Sequence, residues 1–497
     1  MAGSVTVRMY KGLLGDCFLL RFEAGGSASH VLIDCGILQG IAGGVDRMKL
    51  VAADVVKRTG GRLDLLVVTH EHADHISGFS AAPDVFFGDT LKIDRLWMAW
   101  TEKPGDPQAK GLHDRFDKAK MALAAAAAVA ARLTASGANV PPDTAASLAA
   151  FNLSLDGDGG SLTHPRTGAQ ILAALKNAAG DGKVDYLEPG QVTATPGPLA
   201  IRTYVLGPPR TEARLFKDLP TAKAPETYLD GDGLDAADHI LSATQANNAA
   251  FNVGDAVADT PFARRYSIAQ ADVVRAPKAK GAPDTAEQWL NQVYYGGPDW
   301  RNIDADWLGA TDGLGLKLDS DTNNTSLVLA FELPSGKVLL FCGDAQVGNW
   351  LSWHDQAYPS AAGQPPVPGA IQAADILKRV VLYKVGHHSS HNATLDAQGL
   401  ELMTDPGLVA MIPLVEEYAH AQGSGWAMPY PPLLTRLLAK TSNRVLRGDC
   451  KAGWDLKAPI NTDPAFLAAA TDGPDDLYVD YVLPTDQVGD LASVKTL

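Results

Sequence analysis

The chain has 497 residues, of which 46% are hydrophobic and 20% are charged, and its formal net charge is −15 at pH 7. This composition is typical of a globular protein and excludes a mainly disordered chain, while the length alone suggests about three units of ~150 residues. The acidic balance argues against a protein that coats long nucleic acid, because sequence-independent phosphate binding needs a basic surface.

The cysteines and the apolar segments predict the compartment. Cys17, Cys35, Cys342 and Cys450 show no CxxC or disulfide-framework spacing, which indicates free thiols in a reducing compartment. The start, "MAGSVTVRMY", alternates like a strand and lacks the charged and apolar regions of a signal peptide. The alanine-rich segment 121–133 is too short to span a bilayer. We therefore expect a cytoplasmic protein that does not enter a membrane.

The first hundred residues predict strands followed by a polar cluster. "SVTVRMY", "CFLLRFEA" and "HVLIDCG" are short β-rich segments separated by turns that contain glycine. The apolar strand that ends at Val68 has the pattern of a strand buried on both faces, and three histidines follow it within seven positions. Such placement is typical of layered α/β proteins, in which polar chemistry lies on loops at the carboxyl ends of strands.

The rest of the chain predicts two insertions and a second β-rich half. Residues 104–180 have a helical pattern and residues 210–305 are irregular, so both are interpreted as insertions into a single domain, 1–497. We expect the helical insertion to form a lid over the site or a surface for a protein partner. Strand patterns resume in "NNTSLVLAFELPSGKVLLFCGDA" and "VVLYKVGHHSSHNAT".

The segment "THEHADHISGF", 69–79, predicts a metal centre. On an extended loop, residues i, i+2 and i+4 project to one side, so His70, His72 and Asp74 converge. His75 follows at the start of a predicted helix and turns toward a second point. Imidazole and carboxylate ligands favour zinc, with manganese or iron as substitutes, and the spacing suits two divalent ions.

Two further strands end in side chains of the same kind. "LLFCGDAQ" ends at Asp344, and "LYKVGHHSSH" ends at His387 and His388. A strand-terminal Asp is often only a helix N-cap, but beside the first cluster Asp344 is a candidate bridge between two cations. Three other histidines are interpreted as surface or structural residues: His164, His354 and His391.

These motifs resemble a known superfamily. "HEHADH" resembles the HxHxDH signature of the metallo-β-lactamase fold, and "VLIDCG" and "CGD" resemble two of its other motifs. Within it, "GLLGDCFLLRF", "NNTSLVLAF", "VLLFCGDA" and "LYKVGHHSS" are similar, in the same order, to the hydrolase domain of ComEC-type competence proteins. The match spans about residues 1–100, 184–209 and 306–450 and leaves both insertions unexplained. The resemblance implies an αββα four-layer sandwich with a dinuclear site on the sheet edges.

The resemblance also implies a role for each site residue. His70 and His72 would hold the first metal ion, and Asp74, His75 and His387 would hold the second, with Asp344 as the bridge. Asp34 would hydrogen-bond a ligand histidine and fix its tautomer. His388 would face the substrate, although the reverse assignment of the two adjacent histidines stays open.

Two departures from the family pattern concern the site. Many members have a further first-site histidine in a GHTxG segment, where this chain reads "TNNTS" and has Asn323 or Asn324. That site is expected to be weaker or to be completed by water. The glycine of HHGS is replaced by Ser389, which changes the floor of the expected pocket.

The chemistry expected of such a centre is hydrolysis. Two divalent ions lower the pKa of a shared water, Asp74 or Asp344 would orient it, and His388 would stabilise charge or protonate the leaving group. A phosphodiester in a nucleotide, an oligonucleotide or DNA is the favoured substrate. One alternative is hydrolysis of a lactone, thioester or amide, and another is a non-catalytic, metal-stabilised binding or scaffold protein.

Overall fold

The computed structural model describes residues 3–38, 40–135, 167–217, 268, 270–278, 280–297, 309–360, 370–421, 426–450 and 463–485. The strands of these residues are β1 (Ser4–Tyr10), β2 (Phe18–Ala24), β3 (Ser27–Ile33), β4 (Arg62–Leu63), β5 (Leu65–Val67), β6 (Lys92–Ile93), β7 (Leu96–Ala99), β8 (Val184–Leu187), β9 (Val192–Ala194), β10 (Arg202–Gly207), β11 (Val328–Glu332), β12 (Val338–Phe341), β13 (Ala357–Tyr358), β14 (Ile371–Gln372), β15 (Val380–Lys384), β16 (Val409–Ile412), β17 (Val445–Arg447), β18 (Ala470–Asp472) and β19 (Tyr478–Pro484). The helices are α1 (Gly44–Thr59), α2 (Ala73–Ala81), α3 (Pro83–Phe86), α4 (Pro107–Ala135), α5 (Gly168–Ala179), α6 (Glu212–Leu215), α7 (Gln270–Arg275), α8 (Ala286–Leu290), α9 (Gly309–Asn324), α10 (Val347–Trp353), α11 (Ala373–Leu377), α12 (Glu416–His420), α13 (Pro431–Lys440) and α14 (Pro464–Ala469).

Two large sheets organise the described part of the chain. One has eight strands in the order β18–β19–β1–β2–β3–β5–β7–β8, and the other has seven in the order β17–β16–β15–β12–β11–β10–β9. Strands β3, β5, β7 and β8 run parallel, and so do β12, β15, β16 and β17. Because parallel strands end at the same edge, each sheet presents the loops that follow these strands along one edge.

The alternation of apolar residues explains how the sheets are covered. Val5, Val7 and Met9 of β1 belong to an apolar cluster that contains residues of both sheets. In that cluster the ring of Phe18 packs edge-on against Phe341, with centroids 5.4 Å apart. Residues on the other face of the first sheet pack with α1, α2 and α5, and those of the second sheet pack with α10, α11 and α13. The arrangement confirms the predicted α/β class.

The chain divides into two compact units. The first comprises Met1–Lys110, Asp156–Ala224 and Ser320–Leu497, and the second comprises Gly111–Leu155 and Pro225–Asp319. Both large sheets belong to the first unit, and so does α5, although α5 lies within the helical insertion expected at 104–180. Parts of both expected insertions lie outside the described residues, so their boundaries and their roles stay predictions.

Two observations bear on the expected compartment. Among the described residues, none of the helices combines the length and the apolar character that crossing a membrane requires. The four cysteines are buried and free, as their spacing predicted. The cytoplasmic location itself stays a prediction.

The contact between the two sheets makes a test of the fold. Phe18→Ala is expected to lower the free energy of unfolding by about 3–5 kcal/mol, because it removes a fully buried aromatic side chain. Val482→Ala, on β19 and 41% exposed, is the control and is expected to change it by less than about 0.5 kcal/mol. Urea unfolding followed by tryptophan fluorescence measures both. An equal decrease in the free energy of unfolding in both variants would contradict the packing of Phe18 between the two sheets.

Candidate metal centre

The histidine cluster lies at the end of β5, where α2 begins. His72 precedes the first residue of α2, so Asp74 and His75 occupy its first turn, as the sequence predicted. Two neighbouring loops bind the backbone there, since the N–H of Asp16 donates to the carbonyl of Asp74 (2.9 Å) and the N–H of Cys35 donates to the carbonyl of His75 (2.8 Å). The loops after β1 and β3 therefore hold the start of α2 in place.

The carboxylate of Asp34 fixes the ring of His75. Its Oδ2 lies 2.8 Å from Nδ1 of His75 and accepts from the Thr69 hydroxyl (2.6 Å), and its Oδ1 accepts from the backbone N–H of Thr69 (2.8 Å). Because an ionised carboxylate only accepts, Nδ1 of His75 carries a proton. Nε2 is then directed away from Asp34 and is the nitrogen that a cation would bind in place of a second proton.

Thr69 orients His70 in the same way. The Thr69 hydroxyl donates to Asp34, so it accepts from Nδ1 of His70, 3.1 Å away, and Ser326 Oγ lies 3.3 Å from the same nitrogen. Burial, together with the rings of His75 and His72, lowers the pKa of His70 well below its usual range, so the ring is neutral. The ring of His72 lies edge-on to that of His70, with centroids 4.7 Å apart.

A left-handed turn after β15 separates the two adjacent histidines. His387, His388 and Ser389 have φ values of 42°, 51° and 68°, a region that non-glycine residues rarely adopt. Nδ1 of His388 donates to the carbonyl of Pro413 (2.6 Å), and its Nε2 lies 2.9 Å from Oδ2 of Asp74. The ring of His387 instead places Nδ1 2.8 Å from Ser390 Oγ. Nε2 of His388 thus lies beside Asp74, and the reverse assignment of the two histidines, which the sequence left open, stays a prediction.

Asp344 uses its two carboxylate oxygens for different contacts. Oδ1 accepts from the backbone N–H of His387 (3.0 Å) and lies 3.3 Å from Nζ of Lys384. Oδ2 lies 3.2 Å from Nε2 of His75 and 4.0 Å from Nε2 of His388. The buried Oδ2 thus faces the imidazole nitrogens, whereas Oδ1 contacts the backbone N–H of His387 and Nζ of Lys384.

These donors fit a divalent ion. Ligand atoms of four buried residues, Asp16, His75, Asp344 and His388, lie within 4.8 Å of one another. Nε2 of His70, Nε2 of His75 and Oδ2 of Asp344 are buried and have no hydrogen-bond partner within the described part of the chain. Buried polar atoms without a partner are costly, so their grouping is explained by a cation. Imidazole nitrogen with carboxylate oxygen is a donor set that zinc accepts.

The charges of the cluster depend on one another. Burial opposes a charge on His75, but the carboxylates of Asp344, Asp16 and Asp74 outweigh it and raise the pKa of the ring. Burial likewise opposes a charge on Asp74, yet His75 and His388 lower the pKa of that carboxyl. A bound metal ion would replace the protons that these rings otherwise hold.

Asn324 supports the turn that carries Asp344. Its Oδ1 accepts from the backbone N–H groups of Gln346 (3.1 Å) and Asn349 (3.3 Å), and its Nδ2 donates to the carbonyl of Lys217 (2.8 Å). Both ends of the amide are therefore engaged by the protein, and the role of Asn324 at the first site stays a prediction. Asn323 is buried beside it at the end of α9.

Two of the three other histidines singled out in the sequence are described, and each has its own neighbour. Nε2 of His354 lies 2.7 Å from the carbonyl of Gln398, and His391 is exposed with its ring near Tyr430. His164 lies outside the described residues. Sequence reasoning missed Asp16, Ser326 and Lys384, although Asp16 stands in the quoted segment "GLLGDCFLLRF" and a lysine that ends an apolar strand is an unusual feature.

The comparisons with known proteins identify part of this centre. Residues 10–171 match the model of the metallo-beta-lactamase superfamily, which consists mostly of hydrolytic metalloenzymes. The matched segment contains Asp34 and the 69–79 cluster, whereas Asp344, His387 and His388 lie beyond it. No curated protein matches the chain.

The two adjacent histidines provide a matched test of the centre. His388→Asn is expected to lower the metal content after zinc loading, because Nε2 of His388 lies beside Asp74 and Asp344. His387→Asn is expected to keep it, because Nδ1 of His387 lies beside Ser390. Asparagine tolerates a positive φ, so neither change should strain the turn. Elemental analysis after desalting gives the ions per chain. A loss confined to His387→Asn would contradict the assignment.

Gly36 tests how the loops hold the start of α2. A Cβ at Gly36 would lie 2.1 Å from the carbonyl carbon and oxygen of Asp74, so Gly36→Ala must displace this backbone. We expect a loss of about 1–3 kcal/mol in the free energy of unfolding, as for overpacked sites, together with weaker metal binding. Gly111→Ala, with no atom within 4 Å, is the control and is expected to stabilise α4 by about 0.5–1 kcal/mol. Unchanged zinc affinity in Gly36→Ala would contradict the conclusion that this loop positions the metal ligands at the start of α2.

Proposed function

We propose that this protein is a metal-dependent hydrolase that cleaves phosphodiester bonds in a small substrate. The observation that carries the proposal is the grouping of buried imidazole nitrogens and carboxylate oxygens without hydrogen-bond partners at one edge of the two sheets. The superfamily match over residues 10–171 supports hydrolysis. We further propose that the sheets and their outer helices form the αββα four-layer sandwich, with ComEC-type hydrolase domains as relatives.

The proposed ligand sets follow the donors that face one another. His70 and His72 would hold one ion, Asp74, His75 and His388 would hold a second, and Oδ2 of Asp344 would be shared. Zinc is the ion that this donor set favours, and manganese or iron is the substitute. When bound, such ions supply positive charge to phosphoryl oxygens and a water of lowered pKa.

The chain's own residues orient and complete this chemistry. Asp34 and Thr69 fix the tautomers of His75 and His70, so that their Nε2 atoms face inward. His387, half-buried and held through Nδ1 by Ser390, is proposed as the residue that passes a proton to the leaving oxygen. It thereby takes the role that the sequence analysis gave to His388.

A cavity whose lining contains none of the proposed metal ligands is proposed as the place of a small substrate. It has a volume of about 730 Å³ and lies between the β1–β2 loop, the start of α1, α12 and the end of β17. That volume is typical of sites for small molecules. Arg47 lines it, and within the described residues its guanidinium donates only to backbone carbonyls, including those of Lys11 and Asp476. Its positive charge is proposed to bind the phosphate of a nucleotide or short oligonucleotide, in a cavity that Glu416, Glu417, Asp449 and Asp476 also line.

Turnover assays on protein loaded with zinc or manganese test the proposal. We expect cleavage of bis(p-nitrophenyl) phosphate and of a dinucleotide, and loss of both activities on chelation or in Asp344→Asn. His387→Asn is expected to keep its metal while losing roughly 10²-fold in turnover, the range for a positioned acid or base.

The same assays discriminate the alternatives. Cleavage of lactones or thioesters, with every phosphodiester left intact, would assign the centre to acyl chemistry instead. Full metal occupancy without turnover of any of these substrates would favour a metal-stabilised binding protein.

A further inference from the structure

Lys384 is a buried cation behind the metal centre. It is the last residue of β15 and is 1% exposed. Its Nζ donates to the carbonyl of Gly343 (2.7 Å), lies 3.3 Å from Oδ1 of Asp344 and forms an ion pair with Oδ2 of Asp16. Three oxygen atoms therefore surround one ammonium group, which uses its three N–H donors.

The ammonium joins elements of both sheets. Asp16 lies in the β1–β2 loop of the first sheet, whereas Gly343 and Asp344 follow β12 of the second. Two carboxylates and one carbonyl around a single Nζ match the three N–H donors of an ammonium ion, which has no acceptor.

We propose that the Lys384 ammonium occupies a position, next to the metal centre, that a divalent metal ion would otherwise take. Asp344 is then shared between a fixed ammonium, at Oδ1, and a divalent metal ion, at Oδ2. The lysine acts through Asp344, so it is a positioning residue. It binds Oδ1 of Asp344 before the metal ion arrives, so that Oδ2 is the oxygen that can bind the metal. The inference rests on the metal site of the proposed function and not on its substrate.

The oxygen atoms around the Lys384 ammonium could themselves bind a metal ion if the ammonium were removed. Without the ammonium, Oδ2 of Asp16, Oδ1 of Asp344 and the Gly343 carbonyl form an oxygen-only set with two negative charges. Carboxylate and carbonyl oxygens suit Mn²⁺. Lys384→Met keeps an unbranched side chain but removes the charge, so it should open this position to one more manganese ion.

The test counts ions in four proteins after Mn²⁺ loading and desalting: the wild type, Lys384→Met, the double variant Lys384→Met/Asp16→Asn, and Lys337→Met as an exposed-lysine control. We expect Lys384→Met to hold one ion per chain more than the wild type, the double variant to hold at least one ion fewer than Lys384→Met, and Lys337→Met to match the wild type. Mn²⁺ should also raise the thermal unfolding midpoint of Lys384→Met more than that of the wild type.

Three results would overturn the proposal. They are an unchanged ion count in Lys384→Met, an extra ion that persists in the double variant, and a Lys384→Met protein that fails to fold even with Mn²⁺. If Lys384→Met folds only with Mn²⁺, the proposal is supported. Because ions are counted and not turnover, absence of phosphodiesterase activity would reject the proposed function without affecting this result.

Discussion

The centre depends on how the two oxygens of one buried carboxylate are divided. Oδ1 of Asp344 is held by the Lys384 ammonium and by the backbone N–H of His387, and Oδ2 faces the imidazole nitrogens of His75 and His388. A buried carboxylate is costly unless its charge is compensated. Lys384 and the histidine rings supply that compensation from opposite sides, so the carboxylate is oriented by the protein. The loops that carry these groups come from both sheets, and the edge where they meet is therefore the site.

Three histidines of the centre share one hydrogen-bonding pattern. In His70, His75 and His388, Nδ1 is engaged by an acceptor, respectively the Thr69 hydroxyl, the Asp34 carboxylate and a backbone carbonyl. Engagement of Nδ1 leaves Nε2 of each ring as the nitrogen that binds a metal ion once any proton on it is lost. The same pattern occurs three times, on three different partners. This repetition is the strongest argument that the group was built for a cation.

Sequence reasoning located the centre because its signals are local. The spacing of His70, His72, Asp74 and His75 after an apolar strand requires only that strand β5 ends and α2 begins, and both do so at the expected place. The choice between His387 and His388 as ligand stays a prediction, because spacing alone does not contain the left-handed turn that directs the adjacent rings to different neighbours. The hydrogen bonds of the Asn324 amide could not be predicted either, because they join residues more than twenty positions away. Asp16 and Lys384 were missed because their partners lie in different sheets.

The central claim, that these residues bind a divalent ion through His75, His388 and Asp344, is tested most directly by a crystal structure of the zinc-loaded protein measured at the zinc absorption edge. The account predicts an anomalous peak about 2.0–2.2 Å from Nε2 of His75, Nε2 of His388 and Oδ2 of Asp344, with Lys384 still in contact with Oδ1. An anomalous peak coordinated by the ring of His387, or none at this edge of the sheets, would contradict it.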